Sequence, residues 1–302
     1  SPDLYFQYSY NRHPFGEGDG FILKMSPDGL IPIFGTYWGG DYLDNCSDIA
    51  VDEDGNAFVT GYTVSTNFPI TDPADSVFQF ALTYDAFVTQ FSTNDSSLVY
   101  SVQFGSESDD QGRDITLDQL GNAYVVGWVY GRQFPMVNPY DSTFNETGDL
   151  FVSKFQKNTG DLLYSTYLGG DNWDDGNCIA VDNQNRIWIS GETASGDFPT
   201  INAYDESFNG DYDIFLSCIS ASGRDLLFST YLGGSDWDDA TRITVDASDN
   251  IYLIGRTQSA DFPTVNPYQT DFGGIWDVVV AKFSYIATSI EEDDDYNLPI
   301  RY

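Results

Sequence analysis

The chain has one histidine, three cysteines and 12 basic residues among 302. Each scarcity excludes a chemistry. His13 lies outside every repeated motif, so a Ser-His-Asp or Cys-His nucleophile arrangement has no base to build on. Cys46, Cys178 and Cys218 form no Cys-x-x-Cys pattern, which argues against both a zinc site and a disulfide framework. Cys218 sits inside a strand pattern and reads as a buried, inert thiol. Twelve bases face 47 acids, a net charge of −35. Nucleic-acid binding needs a basic footprint, so that partner is excluded, and an anionic membrane surface is disfavoured. The charge reads as solubility in a salty or extracellular setting, or as a cation-binding face. No apolar run approaches the ~18 residues of a membrane span, so membrane insertion is not expected. No signal peptide is visible, and Ser1-Pro2 in place of methionine predicts a processed or trimmed chain. Helical periodicity is absent throughout.

Apolar residues make up 41% of the chain and aromatics 16%, ample for a large core. They are laid out as an array. The stretch from Ser165 to Thr193, STYLGGDNWDDGNCIAVDNQNRIWISGET, returns at Ser229 to Thr257 as STYLGGSDWDDATRITVDASDNIYLIGRT. Looser copies run from Gly35 to Thr63 and from Ser101 to Val129. Three markers keep one register of about 64 residues. They are the aspartates Asp52, Asp118, Asp182 and Asp246; the pairs beginning at Phe68, Phe134, Phe198 and Phe262, each followed by proline; and Asp19, Asp85, Asp149, Asp213 and Asp277.

Each full repeat carries four strand signals, A to D. In the third they are Ile179–Asp182, Ile187–Thr193, Ile214–Ser220 and Leu226–Leu232. Short strands rich in Val, Ile, Tyr and Phe between Gly/Asn/Asp turns predict an all-β fold. Four antiparallel strands per unit predict a β-propeller of four-stranded antiparallel blades. Phe21–Met25 and Ile31–Trp38 match strands C and D, so the array starts in mid-unit. The expected organisation is a single propeller over 1–290, with repeats at about 41–105, 106–170, 171–234 and 235–290 and an incomplete N-terminal blade over 1–40. That predicts about five blades, the terminal blade completed by N- and C-terminal strands. Leu4–Tyr10 and Tyr285–Ile290 read as further short strands. The acidic tail 291–302 reads as a pairing strand that adds to an open blade of its own chain or of a neighbour, through Tyr296, Leu298 and Ile300.

The A–B and C–D turns are short, whereas the B–C connections run to about 20 residues. In an up-and-down meander the D–A and B–C loops leave on one face, where binding is expected.

These residues resemble a known family. The run Y-S-T-Y-L-G-G…D-D-x-G-N-x-I-A-V-D…G-E-T…D-F-P-T…Y-D…D-I-F-L-S is similar to the SBBP β-propeller repeat, over about Asp19 to Phe283. The resemblance implies a secreted or cell-surface bacterial module, of Bacteroidota type and exported by the type IX pathway, usually seven-bladed and generally non-catalytic. It supplies no ligand.

The candidate binding residues lie on the loop face: Trp38, Asp44, Asp110, Trp173, Asp174, Asp175, Trp237, Asp238 and Asp239. The repeated aspartates are read first as acceptors that shape the D–A loop. The tryptophans are read as core or inter-blade packing, or as a stacking platform for sugar rings. Calcium is the one cofactor considered, through Asp171, Asp174 and Asp175, although Trp173 stands where an oxygen ligand is needed. Asp52, Asp118, Asp182 and Asp246 should cap turns, and the Phe-Pro pairs should anchor the B–C loops. Glu107, Glu192 and Glu206 break the repeat symmetry, but nothing in the sequence links them, so no enzyme is expected. The expected function is a structural or adhesive surface module that self-assembles through terminal strands. The alternatives are a module binding a glycan or protein on the loop face, and, less favoured, a propeller glycosidase.

Overall fold

The computed structural model describes residues 16, 18–71, 83–145 and 147–284. These form antiparallel sheets, with no helix among the described residues. The first sheet pairs β1 (Gly20–Met25) with β2 (Pro32–Trp38). Three four-stranded sheets follow in simple meander order. They comprise β3 (Asp44–Val51), β4 (Ala57–Thr63), β5 (Asp85–Ser92) and β6 (Ser97–Phe104); β7 (Asp110–Leu117), β8 (Ala123–Val129), β9 (Asp149–Phe155) and β10 (Leu162–Leu168); and β11 (Asp174–Val181), β12 (Ile187–Thr193), β13 (Asp213–Ile219) and β14 (Leu226–Leu232). The last sheet has three strands, β15 (Asp238–Val245), β16 (Asn250–Thr257) and β17 (Asp277–Ser284). The sequence motifs thus mark blade-like sheets of A-B-C-D order. Leu4–Tyr10, His13, Tyr285–Ile290 and the tail with Tyr296, Leu298 and Ile300 lie outside the described residues.

The chain divides into two compact units, Ser1–Tyr167 and Leu168–Tyr302. Within the first, strand β3 packs on β7; within the second, β11 packs on β15. The core between sheets is aromatic and aliphatic. Trp38, Phe34, Phe87 and Phe91 fill one layer, and Trp188, Ile214, Leu216 and Leu253 fill another.

Strand A begins earlier than the apolar pattern suggests, at Asp174 rather than Ile179. Its first half is polar because the loops satisfy those side chains, so hydrophobicity does not reveal it. Every A strand bulges at one place, between Cys46 and Asp48, Gly112 and Asp114, Gly176 and Cys178, and Ala240 and Arg242. Strand B carries glycine opposite each bulge. A Cβ on Gly61, Gly127 or Gly191 would lie 1.8 Å from the carbonyl oxygen of Asn45, Gln111 or Asp175.

The turn and loop markers act as expected. Asp182 Oδ1 accepts the N–H groups of Gln184 and Arg186, both at 2.9 Å, while its Oδ2 receives Arg186 Nε and Trp188 Nε1. Phe68, Phe134 and Phe198 are buried against Phe87, Phe151 and Phe215, with ring centroids 4.8, 4.6 and 4.7 Å apart. In these three loops Phe-Pro therefore pins the loop to strand C of its own sheet. Beyond that anchor, the loop runs along strand D. Ile201 and Ser229 exchange backbone hydrogen bonds of 3.1 and 2.9 Å, and Tyr231 N–H reaches Asp205 O at 3.0 Å. Val137 and Asp141 cover β10 in the same way. The loops thus cap edges that would otherwise invite pairing with another chain.

Candidate ligand-binding site

The D–A and B–C loops emerge together, as the meander requires. Asn172 N–H donates to Ser195 Oγ and Asp171 N–H to Asp197 Oδ1, both at 2.9 Å. The last sheet repeats both contacts through Ser235, Asp236, Ser259 and Asp261.

Asp44, Asp110, Asp174 and Asp238 are not exposed on the loop face. All four are buried and hold their own loops. Asp174 Oδ2 accepts Gly170 N–H at 2.7 Å and Ser195 Oγ–H at 3.0 Å, and Asp238 repeats this with Gly234 and Ser259. The loop-shaping reading holds for them, and the binding reading is corrected. Trp38 is corrected likewise. It is fully buried, edge-on to Phe68 and Phe91 with centroids 5.6 and 4.8 Å away. Cys218 is buried as expected, and burial pushes its thiol far up.

The calcium candidates Asp171, Asp174 and Asp175 differ in setting. Asp171 is exposed, the Oδ2 of Asp174 is committed to its loop, and no group of three metal-ligating side chains occurs among the described residues. Trp173 is half-buried, its carbonyl accepting Ala194 N–H at 2.8 Å.

Trp237 and Asp239 belong to a different arrangement within the second unit. The residues after the first aspartate of strand A pair across to strand B, Asp175 with Glu192 and Asp239 with Arg256. The same register position in the first unit holds Asn45 with Tyr62 and Gln111 with Trp128, so there that pair of positions is uncharged. In the second unit Trp237 Nε1 donates to Glu192 Oε2 at 2.5 Å. Arg256 Nε donates to Asp239 Oδ2 at 3.0 Å, and Asn177 Nδ2 to Asp239 Oδ1 at 3.0 Å. The Arg256 guanidinium lies over Trp276, 4.5 Å from the ring centroid. Trp276 meets Trp237 edge-on at 5.7 Å, and Tyr212 flanks Trp237 at 5.1 Å. Burial, reinforced by the charges of Asp239 and Asp175, lifts Glu192 to about 7 despite the indole hydrogen bond and Arg256.

Here three half-buried aromatics stand among two strand-borne carboxylates and a guanidinium. Such a site offers apolar faces beside fixed donors and acceptors. Glu107 instead braces a loop, accepting the N–H groups of Arg132 and Gln133, and Glu206 is exposed. Arg256, Trp276 and Tyr212 were not among the sequence candidates, and Glu192 was noted only as breaking the repeat symmetry. The signal of Glu192 and Arg256 was a departure from the repeat at one register position.

Meander sheets in this repeated order, with loops gathered at one end, define an all-β protein of propeller-type blades. Residues 33–69, 99–131 and 227–263 match the family model of the SBBP β-propeller repeat. No curated protein matches the chain. Among solved structures, a GH43_1 enzyme from Xanthomonas citri is similar with a TM-score of 0.36 and 11% identity, over 88% of this chain and 78% of that one. A glucose dehydrogenase is similar with a TM-score of 0.30 and 10% identity, over 70% of this chain and 79% of that one. Neither likeness bears on chemistry.

Proposed function

We propose that this protein is a non-catalytic, extracellular adhesive module that binds a neutral glycan at the Trp237 site. The observation that carries the reading is Trp237 edge-on to Trp276, with Glu192, Asp239 and Arg256 around the pair. Indole faces take the C–H surface of a sugar ring, and carboxylates and guanidinium take its hydroxyls. A net charge of −35 repels polyanionic polysaccharides, which favours neutral ones. Glu192 and Asp239 already engage Trp237, Arg256 and Asn177, which supports binding over acid–base turnover. The extracellular setting is supported by the acidic composition and the repeat resemblance.

The test is calorimetric titration with a panel of neutral oligosaccharides. A binder found there should lose at least about tenfold in affinity on Trp237→Ala, roughly one aromatic contact. Unchanged affinity in that variant would remove the site. Release of reducing sugar from a bound chain would overturn the non-catalytic part.

A further inference from the structure

Among the described residues, strand β17 ends its sheet where β5, β9 and β13 each have a fourth strand beside them. A groove of about 530 Å³ runs along it, between β17 and the loop that follows β16. Phe262, Val265, Tyr268, Val279, Ala281 and Phe283 line it, with Leu232 of the neighbouring sheet. The corresponding loop of the preceding sheet, around Ile201 and Asp205, hydrogen-bonds to the outer edge of β14. In the last sheet Val265 and Tyr268 are exposed instead. The groove therefore lies between the open edge of β17 and the loop that follows β16.

We propose that this groove takes a fourth strand antiparallel to β17, and that its occupant is this chain's own Tyr296–Tyr302. Two observations select it. The first is the face the strand must offer. In β14 both faces are buried, apart from half-buried Leu227, but among the described residues one face of the last sheet is open: Val278 and Val280 are 79% and 73% exposed, whereas their counterparts Ile214 and Leu216 are fully buried. The strand needed is apolar on one face and polar on the other. Tyr296, Leu298 and Ile300 alternate with Asn297, Pro299 and Arg301, at the cost of one ladder bond at Pro299.

The second is position 281. Thr89, Ser153 and Ser217 each share a hydroxyl hydrogen bond of 2.8–2.9 Å with a serine of strand D. Ala281 replaces them, so the incoming strand needs no serine there, and the segment has none. The eleven residues from 285 to 295 are enough to turn the chain back, and tethering gives the segment a high local concentration. The inference rests on the fold and is independent of the carbohydrate reading.

Hydrogen exchange on the intact protein tests it. The amides of Val278 and Val280, whose counterparts pair with β14, should be protected, and Leu298→Asp should speed their exchange at least tenfold. Exchange already fast in the intact chain would overturn the proposal. So would slow exchange that Leu298→Asp leaves unchanged. Light scattering should give a mass near 33.6 kDa. A larger mass that Leu298→Asp returns to that value would mean that a second copy donates the strand, overturning closure within one chain.

Discussion

Gly191→Ala should destabilise the protein by about 3 kcal/mol or more, lowering the midpoint of thermal unfolding by roughly 10 °C. The new methyl would lie 1.8 Å from Asp175 O, 2.9 Å from its carbonyl carbon and 3.0 Å from Asn177 N. All three are backbone atoms of a bulge, held by the register on both sides, so none can rotate away as a side chain would. The bulge itself has to open, and with it the placement of Asp175 beside Glu192. Gly196→Ala is the matched control. Its nearest neighbour would be Phe208 Cδ1 at 3.8 Å, an ordinary contact, and its effect should stay within about 0.5 kcal/mol. Circular dichroism melts of the two variants decide the matter. If Gly191→Ala melts with the parent, the bulge does not have the described geometry.

The repeat period made the sheets readable because each unit solves the same packing problem with the same residues. Phe198 plugs its loop as Phe68 and Phe134 do, and Asp182 caps its turn as Asp118 does. Strand starts were not readable. Asp174 and Asp175 look like loop residues because hydrophobic periodicity is blind to a strand whose polar side chains are satisfied by neighbouring loops.

The site was only partly readable, for a related reason. Repetition draws the eye to residues that recur, and these proved structural: Asp44, Asp110, Asp174 and Asp238 bind their own loops. Trp38 and Trp237 both lie beside a D–A loop, yet one is core and the other flanks Glu192. The repeat register separates them: Trp38 closes a strand D, whereas Trp237 stands directly before strand A at Asp238. Glu192 and Arg256 replace Tyr62 and Trp128 at one register position. Glu192 stood out as breaking the repeat, and comparing the repeats column by column would have set Arg256 beside it.

The protein should be markedly more stable at pH 5 than at pH 8. Asp213 and Asp149 are fully buried, and burial lifts each to about 7 against an ordinary 3.8. At Asp213 the N–H groups of Asn209 and Gly210 oppose the rise, while Asp238 and Asp205 add to it. Tyr231 is nearby, and neither Asp213 nor Asp238 has a lysine or arginine partner among the described residues. The folded state therefore holds protons that the unfolded chain releases. The stability this brings is complete below 3.8 and is lost as pH rises through 7, at most about 4 kcal/mol for each group. Asp52 and Asp118 run the other way: burial is outweighed by hydrogen bonds from Asn56 and Asn122 and by Lys157 and Lys154, holding both below 3.8. Their contribution is present above 3.8 and fails only as pH falls below it, so between pH 5 and 8 the raised carboxyls set the slope, Asp213 and Asp149 together with Glu192 and Asp110, which burial also lifts. Asp213→Asn, which mimics the protonated acid, should raise the melting temperature at pH 8 and flatten the difference between the two pH values. A parent that melts higher at pH 8 than at pH 5, or a variant with an unchanged slope, would refute this account. Stabilisation by added calcium at pH 8, lost in Asp213→Asn, would show that a cation rather than a proton neutralises the buried acids.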